Sequence, residues 1–83
     1  MDKYLILAVH VSDRAKKAGD VQNILTEYGC YIQTRVGLHN VHSDLCSERG
    51  VIIVHVHKSE EIFKEISKKL QSIEGIEVKE IIF

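Results

Sequence analysis

The chain predicts an α+β fold in which two helices cover one face of a four-stranded antiparallel sheet. Three observations predict it. Four runs rich in apolar and β-branched residues punctuate the chain. Two segments of helical period separate the first run from the second and the third from the fourth. Finally, the 83 residues contain no proline, and no low-complexity tract or linker interrupts them, so residues 1–83 read as a single domain.

Taken in order, "YLILAVHV" (4–11) is apolar over eight positions, as in a strand buried on both faces. Ser12 and Asp13 are good N-cap residues. Beyond them Ala15, Ala18, Val21, Ile24, Leu25 and Tyr28 recur at helical spacing, and Gly29 stands where a C′ glycine would end the helix. "CYIQTRVGLH" alternates Ile32, Thr34, Val36 and Leu38 against Tyr31, Gln33 and Arg35, and "GVIIVHVHK" is the most strand-like segment of all. These two strands form a hairpin with a long connection. Ser59 opens a second helix with Glu60 and Glu61 in its first turn, an apolar stripe of Ile62, Phe63, Ile66, Leu70 and Ile73, and Lys68 and Lys69 towards its end. "GIEVKEIIF" closes the chain as a strand. The order β-α-β-β-α-β, folded with right-handed crossovers, is a ferredoxin-like sandwich with sheet order 4-1-3-2.

Composition excludes several function classes. Eleven basic residues against twelve acidic ones, with no run of more than two like charges, leave no electrostatic footprint for nucleic acid or an anionic membrane. No apolar stretch approaches the roughly 20 residues that span a bilayer, and "MDKYLILAVHV" lacks the features of a secretory signal, so a cytoplasmic protein is expected. Cys30 and Cys46 do not make a disulfide framework, and a reducing compartment keeps both as thiols. A domain of this size buries only about 60 to 65% of its unfolded surface, so self-association into a dimer or tetramer is expected.

The strand pattern assigns two sheet faces. Leu5, Leu7, Val9, Ile32, Val36, Ile52, Val54, Val56 and Val78 form the set to be covered by helices. Tyr4, Ile6, Ala8, His10, Tyr31, Arg35, Val51, Ile53, His55, His57, Ile81 and Phe83 fall on the other face, which is apolar enough to be an interface between copies, with Tyr4, Ile6, Tyr31, Val51 and Ile53 at its heart. With the first and third strands parallel neighbours, His10, His55 and His57 would emerge at the same end of that face. Converging imidazoles of this kind could bind a transition metal, or could instead hydrogen-bond across an interface.

The connection "LHNVHSDLCSERG" carries the first-choice metal site, with the three strand histidines second. His39, His42 and Cys46 could bring two nitrogens and a thiolate to one ion if the backbone leaves strand geometry after His39, with the fourth ligand from elsewhere. A connection of about ten residues, where hairpins usually use two to five, points to a functional segment. Ser43, Asp44, Ser47 and Glu48 equally suit a solvated turn. Cys46 as a nucleophile lacks a third orienting group and a pocket, no phosphate-binding glycine loop is present, and Glu60 with Glu61 stabilise a helix start, so an enzyme is not expected.

"VSDRAKKAGDVQNILTEYGCYI" resembles the first β-α-β unit of ACT domains at Asp13, Val21, Ile24, Leu25, Gly29 and Ile32. More closely, Tyr28-Gly29, Arg35-Val36-Gly37 and the segment from Glu74 to Lys79 make nearly the whole chain similar to small stand-alone ACT-like proteins described as regulators of the iron-only hydrogenase system. That group is similar in fold to the C-terminal domain of the nickel-responsive repressor, which binds metal through histidines at the end of strand two and a cysteine before strand three. The resemblance implies a regulatory domain with a small ligand, either a transition metal (nickel, zinc or iron) at His39, His42 and Cys46, or an amino acid or other metabolite at a subunit junction near Asp13, Arg14, Lys16 and Lys17. The partners expected are other copies of the chain and that ligand, without direct nucleic-acid or membrane binding.

Overall fold

The computed structural model describes residues 4–12, 18–38 and 50–83. Within them the chain forms β1 (Leu5–Val11), α1 (Ala18–Glu27), a 3-10 turn (Gly29–Tyr31), β2 (Ile32–Leu38), β3 (Gly50–Val56), α2 (Glu60–Gln71) and β4 (Ile76–Ile82). The strands make one sheet of order β2-β3-β1-β4, the expected 4-1-3-2 order taken from the other edge, and every neighbouring pair is antiparallel. This is the ferredoxin-like architecture.

Period-two alternation decides which face the helices cover. In β1, Leu5, Leu7, Val9 and Val11 are buried while His10 between them is exposed. Ile52, Val54 and Val56 of β3 extend the same buried face. Against it α2 lays Phe63, Ile66 and Leu70, three to four residues apart on one helical face, and α1 lays Val21, Leu25 and Tyr28. The rim is completed by Ile24, Ile32, Ile62, Ile73, Ile76 and Val78.

Capping follows the expected chemistry for α2. Ser59 is extended, and its hydroxyl accepts from the Ile62 N–H at 3.1 Å, a cap that contributes about 1 kcal/mol. Lys58 just before it adopts φ 52°, the left-handed conformation that turns β3 into the helix. Gly75, at φ 83°, makes the corresponding turn into β4, and its carbonyl accepts from both the Ser12 backbone N–H (3.1 Å) and hydroxyl (2.8 Å). The ends of β1 and β4 are thereby tied together.

Four sequence expectations are corrected. Gly29 keeps a negative φ and does not form a left-handed cap, because the chain tightens into a 3-10 turn in which the Tyr31 N–H bonds to Tyr28 O at 2.9 Å. Tyr31 therefore precedes β2, and strand alternation no longer assigns it to the open face. Within β2 the register shifts between Ile32 and Thr34, so that Ile32 pairs with Val56 but Thr34 pairs with His55 and Val36 with Ile53. One extra residue, Gln33, exchanges the two faces from there on, placing Val36 (47% exposed) on the open side and Arg35 opposite Val54. Lastly, β1 and β3 run antiparallel where parallel neighbours were expected. The first crossover returns β2 parallel to β1, and the hairpin then reverses β3.

Candidate functional site

The sheet register brings the end of β1, the end of β2 and the starts of β3 and β4 to one end of the sheet. Val11, the last residue of β1, lies opposite both Gly50, the first of β3, and Ile76, the first of β4. Leu38, the last of β2, lies opposite Val51. The chain therefore leaves β1 towards Asp13, Arg14, Lys16 and Lys17, and leaves β2 towards His39, His42 and Cys46, at the same end of the sheet. Both stretches, residues 13–17 and 39–49, lie outside the described residues.

At that end a surface cleft of about 470 Å³ is lined by His10, Ser12, Glu74, Gly75, Ile76 and Glu77. The turn at Gly75 shapes one wall and the end of β1 the other. His10 Nδ1 stands 3.6 Å from Glu77 Oε1, its directly opposite partner across the β1–β4 ladder, and Lys79 Nζ stands 3.8 Å from Glu77 Oε2. The single carboxylate is thus flanked by an imidazole and an ammonium, and when His10 is protonated it forms an exposed ion pair worth at most about 1 kcal/mol. The Ser12 hydroxyl already donates to Gly75 O and serves structure.

The other histidines are at the opposite end. His55 pairs with Ile6, whereas His10 pairs with Val51, so the two lie about 13 Å apart along the sheet at strand rise. A metal needs its ligands at about 2 Å, so the antiparallel register keeps His10 from sharing an ion with His55 or His57. His55 instead stands beside the Tyr4 ring, with centroids 5.7 Å apart and planes tilted by 34°. The His57 backbone N–H, just past β3, donates to Tyr31 O at 2.7 Å. Among the described residues no group of three or more His, Cys, Asp or Glu side chains is placed to hold a metal ion.

Around these groups the open sheet face continues. Ile6, Val51 and Ile53 are half-buried there with Ala8, while Tyr4, Ile81 and Phe83 are exposed. Glu77 and Lys79 also belong to this face, opposite His10 and Ala8, and the set read from the strand pattern lacks them. The alternation of "GIEVKEIIF" contains that signal, since Glu77, Lys79, Ile81 and Phe83 are spaced two apart.

A further cluster joins the two helices on the far side. The Tyr28 hydroxyl donates to Glu65 Oε2 at 2.6 Å, and Lys69 Nζ lies 4.9 Å from the Tyr28 ring centre and 2.9 Å from Glu27 Oε2. The Glu65 hydrogen bond holds the Tyr28 phenol above its ordinary range, and the hydrogen bonds to Glu27 and Tyr28 raise the Lys69 ammonium. These groups fasten α1 to α2. Cys30 is an exposed free thiol. No described helix is long and apolar enough to cross a membrane.

Among solved structures, the chain is similar to the uncharacterized protein TM1266 from Thermotoga maritima, with 26% identity, a TM-score of 0.79 and coverage of 99% of both chains. It is also similar to a formyltetrahydrofolate deformylase from Pseudomonas putida KT2440, at 20% identity and a TM-score of 0.50, where it covers 96% of this chain and 28% of that one. SnoaB, a cofactor-independent oxygenase from Streptomyces nogalater, matches at 7% identity and a TM-score of 0.52 over 100% of this chain and 92% of its own. The last two likenesses concern the fold alone. No curated protein matches. With the fold and the site in place, the family model matching residues 3–80 assigns the chain to the TM1266-like family, whose description is "Iron-only hydrogenase system regulator, putative".

Proposed function

We propose that the chain is a small-ligand-sensing regulatory domain that works as a dimer or tetramer of its own copies, in regulation of the iron-only hydrogenase system. The family match over residues 3–80 carries this reading. The ligand is a transition metal (nickel, zinc or iron) bound by His39, His42 and Cys46, whose two nitrogens and thiolate suit such an ion. These residues belong to the connection that leaves the sheet at Leu38 and rejoins it at Gly50, beside the end of β1.

Self-association uses the open sheet face. Four strands of seven residues span about 24 Å by about 19 Å in plan, a continuous face for a second copy to cover. Its formal charges, His10, Glu77 and Lys79, pair among themselves along the β1–β4 side. Around them Ile6, Ala8, Val36, Val51, Ile53 and Ile81 are apolar, with the His55 imidazole and the Thr34 hydroxyl between them. Apolar side chains predominate, and a second copy of the same face fits it.

A second reading is favoured by the cleft of about 470 Å³ at His10, Ser12 and Gly75, whose Ser12 directly precedes Asp13 in the sequence. On that reading the domain binds an amino acid or other metabolite near Asp13, Arg14, Lys16 and Lys17, without metal. Elemental analysis of untagged protein purified without oxygen, with its mass in solution, separates the two. About one equivalent of metal per chain, lost in Cys46→Ser and kept when His55 and His57 are replaced, is the expected result. Protein that stays metal-free after nickel, zinc or iron is added back would sink the metal reading.

A further inference from the structure

We propose that self-association through the open sheet face is proton-linked through His55, so that acid separates the copies. The inference rests on the face-to-face association proposed above and adds a regulation to it. His55 is half-buried in the isolated chain. Across β1 it faces Ile6 directly, with the Tyr4 ring 5.7 Å away. Across β2 it faces Thr34, and Ile53 and His57 are its same-face neighbours along the chain. β4, one strand further, offers Ile81 opposite Ile6. Among the described residues the titratable groups around His55 are the Tyr4 phenol and the His57 imidazole, and neither can balance a positive charge at neutral or acid pH.

His10 is the internal contrast. It lies on the same face, but Glu77 is 3.6 Å from its Nδ1, so its imidazolium has a carboxylate partner that accompanies it into an interface. Glu77 sits opposite His10, four positions along β1 from the residue paired with His55.

When a second copy covers the face, His55 loses water and gains apolar neighbours. A desolvated imidazole without an acid is retained in its neutral form. Assembled copies then bind fewer protons than separated ones, so association strengthens as pH rises and weakens as it falls. Imidazoles as a class titrate near pH 6.5.

The test is sedimentation equilibrium of the full chain at both pH values and constant ionic strength, with far-ultraviolet circular dichroism on the same samples. The expected result is a dissociation constant that rises at least tenfold at pH 5.5 with an unchanged spectrum. His55→Gln should remove that rise and His10→Gln should leave it. Equal association at both pH values would overturn the proton link alone and leave self-association standing. Tighter association in acid would also overturn it, and would place a partner's carboxylate on His55. A spectrum that collapses with the mass would make the event unfolding, which overturns the proposal. Copies that stay separate at both pH values and at millimolar concentration would overturn both readings.

Discussion

Glu80 joins the sheet to α2. Its Oε1 accepts from Lys64 Nζ at 2.6 Å, and its Oε2 accepts from the Ser67 hydroxyl, also at 2.6 Å. Ser67 is buried among Phe63, Ile66 and Leu70, and its oxygen accepts in turn from Gln71 Nε2 at 2.8 Å. Without Glu80 the hydroxyl's proton would lose its carboxylate partner. The Lys64 hydrogen bond first, then that of Ser67, holds the Glu80 carboxyl below the usual range. A lowered carboxyl stabilises the fold above its unfolded range, and that contribution disappears as pH falls through the folded one. Glu80→Gln should therefore cost about 1 to 2 kcal/mol at pH 7 in urea denaturation, with the difference between the two proteins shrinking towards zero in acid. A difference that stays constant from pH 7 to pH 3 would mean that the carboxylate's charge has no part in it. In the sequence, Ser67 could be placed near the apolar stripe of α2 by helical period. Its partner could not, because Glu80 lies thirteen residues away on a strand whose register no local pattern fixes.

At the scale of elements, the legible features were those with a local cause. The cap at Ser59, the stripe Phe63, Ile66 and Leu70, and the helix-covered set Leu5, Leu7 and Val9 each follow from neighbouring residues and each appears where expected, while Val11, outside that set, is buried with it. β2 shows why alternation alone can mislead. Ile32, Thr34 and Val36 look like one face, but the partners of Thr34 and Val36 are His55 and Ile53, whereas Ile32 pairs with Val56. A bulge at an edge strand leaves almost no mark on composition, and Gln33 is an unremarkable residue for it. The bulge makes a sharp prediction. Deleting Gln33 joins Ile32 to Thr34 in an uninterrupted ladder and leaves every other pairing intact, so stability in urea should change by no more than about 1 kcal/mol. Were Ile32 and Val36 on one face, the same deletion would turn Thr34 to Leu38 over and remove several kcal/mol. The first helix shows the other limit: its course from Val21 to Tyr28 was legible, while its start before Ala18 lies outside the described residues.

For the whole molecule, the strand order followed from the order of elements, because two crossovers and a hairpin leave few topologies. The direction of β3 against β1 follows from the same connections, and with it the separation of His10 from His55. The candidate ligands at His39, His42 and Cys46 lie beyond this test, since residues 39–49 are outside the described residues. What the molecule does expose is an apolar sheet face whose centre is Ile53, opposite Ala8 on β1 and Val36 on β2. Ile53→Glu should leave the fold unchanged, because the position is only half-buried in the single chain and the helix-covered core of Leu7, Val54 and Phe63 is on the other side. In the assembly two carboxylates would be buried in a largely apolar face, at a cost of several kcal/mol. The expected outcome is a chain of monomer mass by sedimentation at micromolar concentration, with a spectrum like that of the parent. Lys68→Glu, on the exposed side of α2, should keep the parent's mass. If Ile53→Glu assembles as the parent does while Lys68→Glu does not, the contact runs through the helices and the open face is free.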